Sequence, residues 1–192
     1  MPVFRGLTVA SLMVCGLPWA CSNTPVRVIM ETELGNMEIE IYTAAAPITT
    51  AIFLRHVDEN LFQGASFYRV VRLDNQPDND VKIEVIQGGL WPEESPLPAI
   101  VHETTAQTKL RHLDGVISMA RLEPGSATSE IFICVGDQPE LDFGGRRNPD
   151  GQGFAAFGRV VSSMELVRLI QQLPADGQTL NEPVRITAVK RL

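Results

Sequence analysis

Two apolar runs separated by a polar loop constrain this chain most: Phe67-Tyr68-Arg69-Val70-Val71 and Ile86-Gln87-Gly88-Gly89. Both are rich in aromatic and β-branched residues, the composition of a strand that packs on a pleated surface. The segment between them, Arg72 to Asp80, carries Asn, Asp and Pro as turn formers. Strand alternation puts Phe67, Arg69 and Val71 on one face, with Arg69 between two apolar neighbours. A guanidinium cannot shed its charge, so such a place demands either partners or a task. The plain reading of Arg69 is a rim arginine paired with a carboxylate. Gln87 closes the second run just before Gly88-Gly89, where the backbone is free to turn sharply.

The first twenty residues are a different material. Arg5 is their sole charge, and Gly6 to Leu17 is apolar. That is the layout of a secretory signal, and it is shorter than the roughly 20 residues of a comfortable membrane span. Leu17-Pro18-Trp19-Ala20-Cys21-Ser22 resembles a bacterial lipoprotein cleavage box in which Cys21 is lipidated, although Pro18-Trp19 intrude and the leucine is one place early. Ordinary cleavage after Ala20 is the competing reading. The expected organisation is a signal over 1–20, a short linker over 21–25 and one folded domain over 26–192. The expected location is the periplasm of a bacterium, or its membrane through a lipidated Cys21.

Composition narrows the function classes. A net charge of −7 without a basic run argues against nucleic acid as a partner. The three cysteines form no disulfide framework; Cys134 lies in an apolar run and reads as a small core residue. His56, His102 and His112 are scattered, with no metal-ligand spacing, and His56 reads as a surface or partly buried helix residue. Gly144 to Gly153 follows neither the phosphate-loop pattern nor a complete calcium loop, and reads as a solvated loop.

Periodicity sets out the elements. Val26 to Tyr42 reads as a hairpin turning at Leu34-Gly35-Asn36. Ala46 to Asn60 reads as a helix, with Pro47 in its first turn and Ile48, Ile52, Phe53 and Val57 as its apolar stripe. Leu90 to Asp114 is long and irregular. Gly115–Ala120, Ile131–Val135, Phe154–Val161 and Val184–Leu192 read as strands. A second helix starts at Ser162, where Ser162 and Glu165 have capping-box spacing, and stops before Pro174. Many strands and two separated helices fit an all-β barrel or sandwich, and the pattern alone leaves that choice open.

Phe-x-Arg-Val-Val, a loop, then Ile-Gln-Gly-Gly resembles the signature segment of the cyclophilin family of peptidyl-prolyl isomerases. Ile117-Ser118-Met119-Ala120, Ser129-Glu130-Ile131-Phe132-Ile133-Cys134, Phe157-Gly158-Arg159-Val160-Val161 and Met164-Glu165-Leu166-Val167 resemble later motifs of the family in the same order. The resemblance implies a closed eight-stranded antiparallel β-barrel capped by two α-helices, with a substrate groove on its outer face. It implies isomerisation of X-Pro bonds with no cofactor and no metal. It makes Arg69 the catalytic donor and Gln87 a ligand of the peptide backbone. Val85, Phe132 and Leu141 would line a proline pocket, Phe154 its rim, and Ala120 would meet the residue before proline. Proline-containing polypeptides are then the partners of a chain expected to be monomeric. The alternative is a module that binds proline segments, or a scaffold in the envelope, without turnover. The rim departs from the family pattern: Ile83 or Glu84 replaces an aromatic, Arg121 an asparagine, Glu140 a tryptophan and Phe154 a histidine or tyrosine.

Overall fold

The computed structural model describes residues 24–90 and 95–192. The signal, the cleavage box and Cys21 therefore lie outside the described residues. Strands β1 (Val26–Thr32) and β2 (Gly35–Ile41) form the expected hairpin, followed by helix α1 (Pro47–Asp58). Strands β3 (Ser66–Val71) and β4 (Val85–Gly89) flank the polar loop. A four-residue helix α2 (Thr105–Thr108) precedes β5 (Val116–Met119) and β6 (Ile131–Cys134). Strand β7 (Ala155–Ser162), helix α3 (Met164–Gln171), and the hairpin of β8 (Ala175–Asp176) with β9 (Thr179–Arg191) complete the chain.

Eight of these strands close on themselves in the order β1-β2-β7-β5-β6-β4-β3-β9, and β9 pairs back with β1. Every pairing is antiparallel. The sheet is thus a closed barrel, which leaves no open edge between its strands. Its interior is filled by the inward set of each strand, including Val28, Met30, Ile39, Ile86, Ile117, Ile133 and Phe157. Helix α1 adds Ile52, Phe53 and Val57 to this core, and α3 adds Leu166, Val167 and Ile170. A second, smaller cluster lies on the outer side of β3, β4 and β6: Val71, Ile83, Val85, Ala120, Phe132, Cys134 and Leu141. Strand alternation produces both clusters, since Ile131 and Ile133 point inward while Phe132 and Cys134 point outward.

Several local expectations are corrected. The first hairpin turns at Glu33-Leu34, one residue early, because Thr32 pairs with Gly35 and its hydroxyl bridges the turn to Leu34 N and Gly35 O. In α1, Ile48 is exposed and Thr49 is buried. The cause is Glu103, whose carboxylate accepts from Ile48 N (3.2 Å), Thr49 N (2.6 Å) and Thr49 Oγ1 (2.7 Å). A helix start that lacks a capping side chain of its own is capped from the long loop instead. His56 is buried, not at the surface. The Ser162–Glu165 box does not form: Ser162 ends β7, and Ser163 opens α3 in a left-handed conformation without a side-chain cap. The last strand begins at Thr179 rather than Val184, because Gly177-Gln178 turns the chain into a hairpin with β8.

The β3 strand departs from simple alternation at the place that matters most. Its register to β4 and to β9 shifts between Phe67 and Arg69, a β-bulge at Tyr68. Phe67 and Val70 consequently enter the barrel core, whereas Val71 joins the outer cluster. Phe67 and Arg69 do not share a face, contrary to the pattern reading. Gly88 permits this packing rather than a turn: a Cβ there would lie 2.4 Å from Ser66 O and 2.8 Å from Phe67 Cα. Gly89 has φ of +128° and would crowd Ser129 O at 2.4 Å.

Candidate active site

A cleft of about 360 Å³ opens over the outer cluster. Val85, Phe132 and Leu141 make its apolar floor and are almost fully buried, and Ile83 and Ala120 extend it. Phe154 stands edge-on to Phe132, with ring centroids 5.1 Å apart. Arg69 and Gln87 border the same cleft. The seven residues singled out in the sequence as catalytic or substrate-binding are therefore neighbours, although they come from β3, β4, β6 and three connecting segments. Ile83 lines the cleft at the position where Ile83 and Glu84 were both open.

Among the described residues no carboxylate holds Arg69. Its Nη1 donates to Gln87 Oε1 at 2.6 Å. Its Nε and Nη2 both donate to Gln178 Oε1, at 3.0 and 2.5 Å. Gln178 is itself fixed by donation from Nε2 to Asn75 O at 3.1 Å. Burial pushes the Arg69 pKa down from its ordinary value, yet arginine retains its charge under any physiological condition. The result is an oriented cation whose charge is not neutralised by its partners, at the edge of an apolar pocket. The plain reading of Arg69 as one half of an ion pair is not what forms.

The loop between β3 and β4 is ordered by its own amides. Asn75 donates to Val70 O and Gly177 O, and buried Gln76 donates to Arg72 O and Ile83 O. Gln76 also accepts from Arg147 Nη1 at 2.9 Å, which sets a second guanidinium on the cleft wall. Behind the floor, the His112 ring stacks on Phe132 at 5.8 Å. His112 contacts Asp142 through Nδ1 (2.8 Å) and Ser118 Oγ through Nε2 (3.1 Å). This Ser-His-Asp grouping cannot act as a nucleophile, because Ser118 is fully buried.

A model of the family described as cyclophilin type peptidyl-prolyl cis-trans isomerase/CLD matches residues 27–191. This chain belongs to the cyclophilin-type peptidyl-prolyl cis-trans isomerase family. A peptidyl-prolyl cis-trans isomerase of Acinetobacter baylyi is 34% identical over 89% of this chain and 87% of its own length. Peptidyl-prolyl cis-trans isomerase A of Dickeya dadantii is 33% identical over 89% and 84%. A crystal structure of a cyclophilin-type isomerase from Cryptosporidium parvum superposes with a TM-score of 0.69 at 17% identity, covering 88% of this chain and 98% of the other. A second structure of that enzyme was determined in the presence of the dipeptide Ala-Pro.

The rim of this cyclophilin is rebuilt with charges. Arg121 forms a two-pronged pair with Asp150 (2.8 and 3.0 Å) and also donates to Gly153 O. Its guanidinium lies 5.3 Å from the Phe154 ring centroid, so it braces the rim aromatic as a cation–π partner. Glu140 turns away from the cleft to pair with Arg146. The loop 144–153 is thereby tied to the segment after β5 by an ion pair, while much of it stays exposed to solvent as expected. Gln178, Tyr68, Glu130, Arg147 and Gln76 were not singled out as site residues from the sequence. Only Gln178 had a readable signal, the Asp176-Gly177 turn that presents it.

Proposed function

We propose that this isomerase acts on X-Pro bonds of exported polypeptides, with Arg69 as the catalytic donor and the Phe132 cleft as the proline pocket. Rotation about a peptide bond is slow because nitrogen-to-carbonyl resonance sets a barrier of about 18–20 kcal/mol. In the twisted state the prolyl nitrogen regains its lone pair. A fixed guanidinium hydrogen aimed at that nitrogen binds the twisted state more strongly than either planar isomer. Phe132, Leu141 and Val85, with Phe154 at the rim, hold the ring while the other side of the bond turns. Gln87 receives the peptide backbone, and Ala120 meets the residue before proline. No covalent intermediate is needed.

The observation that carries this reading is the anchoring of Arg69 by two neutral amide oxygens, which orient it and leave its charge for the substrate. Proline-containing polypeptides as substrates accord with the Ala-Pro dipeptide used with the Cryptosporidium parvum enzyme. Export, cleavage near Ala20, and lipidation of Cys21 as a membrane tether rest on the sequence of the first twenty-one residues. Under this proposal the folded unit, 26–192, works as a monomer in the bacterial periplasm or on its membrane.

The test is the cis-to-trans relaxation of a short Ala-Pro peptide with the parent protein and with Arg69→Ala. Acceleration by the parent that disappears in a folded variant supports the reading. Binding without acceleration would replace it with a module that holds proline segments. Mass spectrometry of the protein isolated from cell membranes decides the state of Cys21.

A further inference from the structure

Glu130 places a carboxylate in the cleft without a cation to meet it. Three guanidinium groups share that cleft, and each is engaged elsewhere. Arg121 is paired with Asp150, Arg147 donates to Gln76 and to Val81 O, and Arg69 is held by the two glutamines. Among the described residues no ion pair reaches Glu130. The carboxylate instead accepts the hydroxyl hydrogen of Tyr68. The Tyr68 oxygen accepts from Gln87 Nε2 at 3.1 Å, and Gln87 Oε1 accepts from Arg69 Nη1 at 2.6 Å. Every hydrogen along this chain points from Arg69 toward Glu130.

That polarity has a chemical origin at each end. Arg69 carries donors only, and an ionised carboxylate is an acceptor only. A glutamine amide between them has one orientation in which no two donors meet: oxygen toward Arg69, NH2 toward Tyr68. The bulge at Tyr68 is what brings this side chain and Arg69 to the same side of the barrel.

We propose that Glu130 is a positioning residue of the isomerase site: as a carboxylate it fixes, through Tyr68, the orientation of Gln87 and hence of the Arg69 guanidinium, and its protonation loosens that arrangement and lowers turnover. The proposal rests on the isomerase reading given above. A protonated Glu130 gains a hydrogen of its own to donate to the Tyr68 oxygen, where it competes with the Gln87 amide. Burial pushes the Glu130 carboxyl up to about 7, which brings the change within reach of ordinary conditions. The other titratable or charged groups facing it are Tyr68 and Arg69 from β3, Arg121 after β5, and Arg147 before β7, with Asp150 and His102 behind Arg121.

Glu130→Gln keeps an acceptor oxygen for Tyr68 and removes the ionisation, whereas Tyr68→Phe breaks the chain. Turnover of a non-ionisable Ala-Pro peptide is followed by NMR exchange across neutrality, together with the side-chain amide signals of Gln87 and the Nε–H of Arg69. In the parent, kcat falls several-fold on acidification with little change in KM, and the Gln87 and Arg69 signals shift with the same midpoint, near 7. Both dependences are absent in Glu130→Gln, and Tyr68→Phe has a pH-independent kcat about tenfold below that of the parent on the alkaline side. An unaltered pH profile in Glu130→Gln, or a Gln87 amide that does not respond to pH in the parent, overturns the proposal. A Gln87 amide that titrates in a parent with no turnover at any pH supports the relay and refutes the isomerase reading.

Discussion

Gln178 Oε1 accepts from both Nε and Nη2 of Arg69, a residue 109 positions earlier in the chain. The turn between β8 and β9 is thus an anchor of the cation that borders the apolar cleft. Gln178 also ties that cation to the β3–β4 loop through Asn75. The orientation of Arg69 is consequently a property of three separate segments and not of β3 alone.

With Arg69 in the role proposed above, a donor to the twisted state, Arg69→Ala should lower kcat/KM by roughly 10²–10³-fold while peptide affinity changes little. Gln178→Ala should lower it by about tenfold, the effect of freeing one side of the guanidinium. Relaxation kinetics set against peptide binding by NMR titration check both. A fall in affinity equal to the fall in rate would show that Arg69 binds substrate uniformly.

Glu103→Ala should destabilise the fold by about 2–3 kcal/mol, because Ile48 N and Thr49 N lose a charged acceptor in a buried setting. For a chain of this size that corresponds to a drop in Tm of roughly 5–10 °C. Glu103→Gln should fall between, since one oxygen remains to accept. Thermal unfolding reads the series, and isomerase activity below the transition should be retained, because Glu103 is not among the residues lining the cleft.

Stability should decline as pH drops below the ordinary histidine range. His56 Nδ1 lies 2.9 Å from Ile52 O, which can only accept, so the ring is the Nδ1–H tautomer, and its buried Nε2 has no hydrogen-bond partner among the described residues. Burial, offset in part by that hydrogen bond, lowers the folded pKa below its unfolded value of about 6.5. A depressed pKa contributes stability that is present above the unfolded value and is lost as pH falls through it toward the folded one. His102 has a shift of the same sign. Urea unfolding at neutral and mildly acidic pH should therefore show a loss that His56→Gln reduces. An equal loss in the variant would assign the effect elsewhere.

The cleft should bind cyclosporin-type cyclic peptides weakly while still accepting short proline peptides. Its rim offers aliphatic Ile83, and Glu140 is committed to Arg146 where the family pattern has tryptophan. Inhibition measured with such a drug and with a linear Ala-Pro peptide tests the contrast. Strong inhibition at low drug concentration would count against it.

The residues of the pocket floor were legible because the resemblance in motif order implies them without knowledge of register. Val85, Phe132 and Leu141 needed only that. The anchors of Arg69 were not legible, because they depend on a bulge and on contacts between distant segments. Alternation placed Phe67 and Arg69 on one face, and only the extra residue at Tyr68 separates them. The α1 stripe erred for a similar reason. A carboxylate 54 residues away satisfies the helix start and draws Thr49 inward, so local periodicity alone favoured Ile48.

The pairing of β9 with both β1 and β3 governs the order in which the molecule can assemble. Until the last strand has been synthesised and delivered, β1 and β3 each present an unpaired edge, and the core residues Val184, Ile186 and Val189 are missing. Pairings between segments far apart in sequence carry a larger loop-closure cost than local ones and slow folding. The Gln178 anchor of Arg69 lies in the turn into the same strand, so a chain interrupted before Gln178 lacks both closure and that anchor. Barrel closure and the second anchor of Arg69 thus depend on one stretch of the chain, the β8–β9 hairpin.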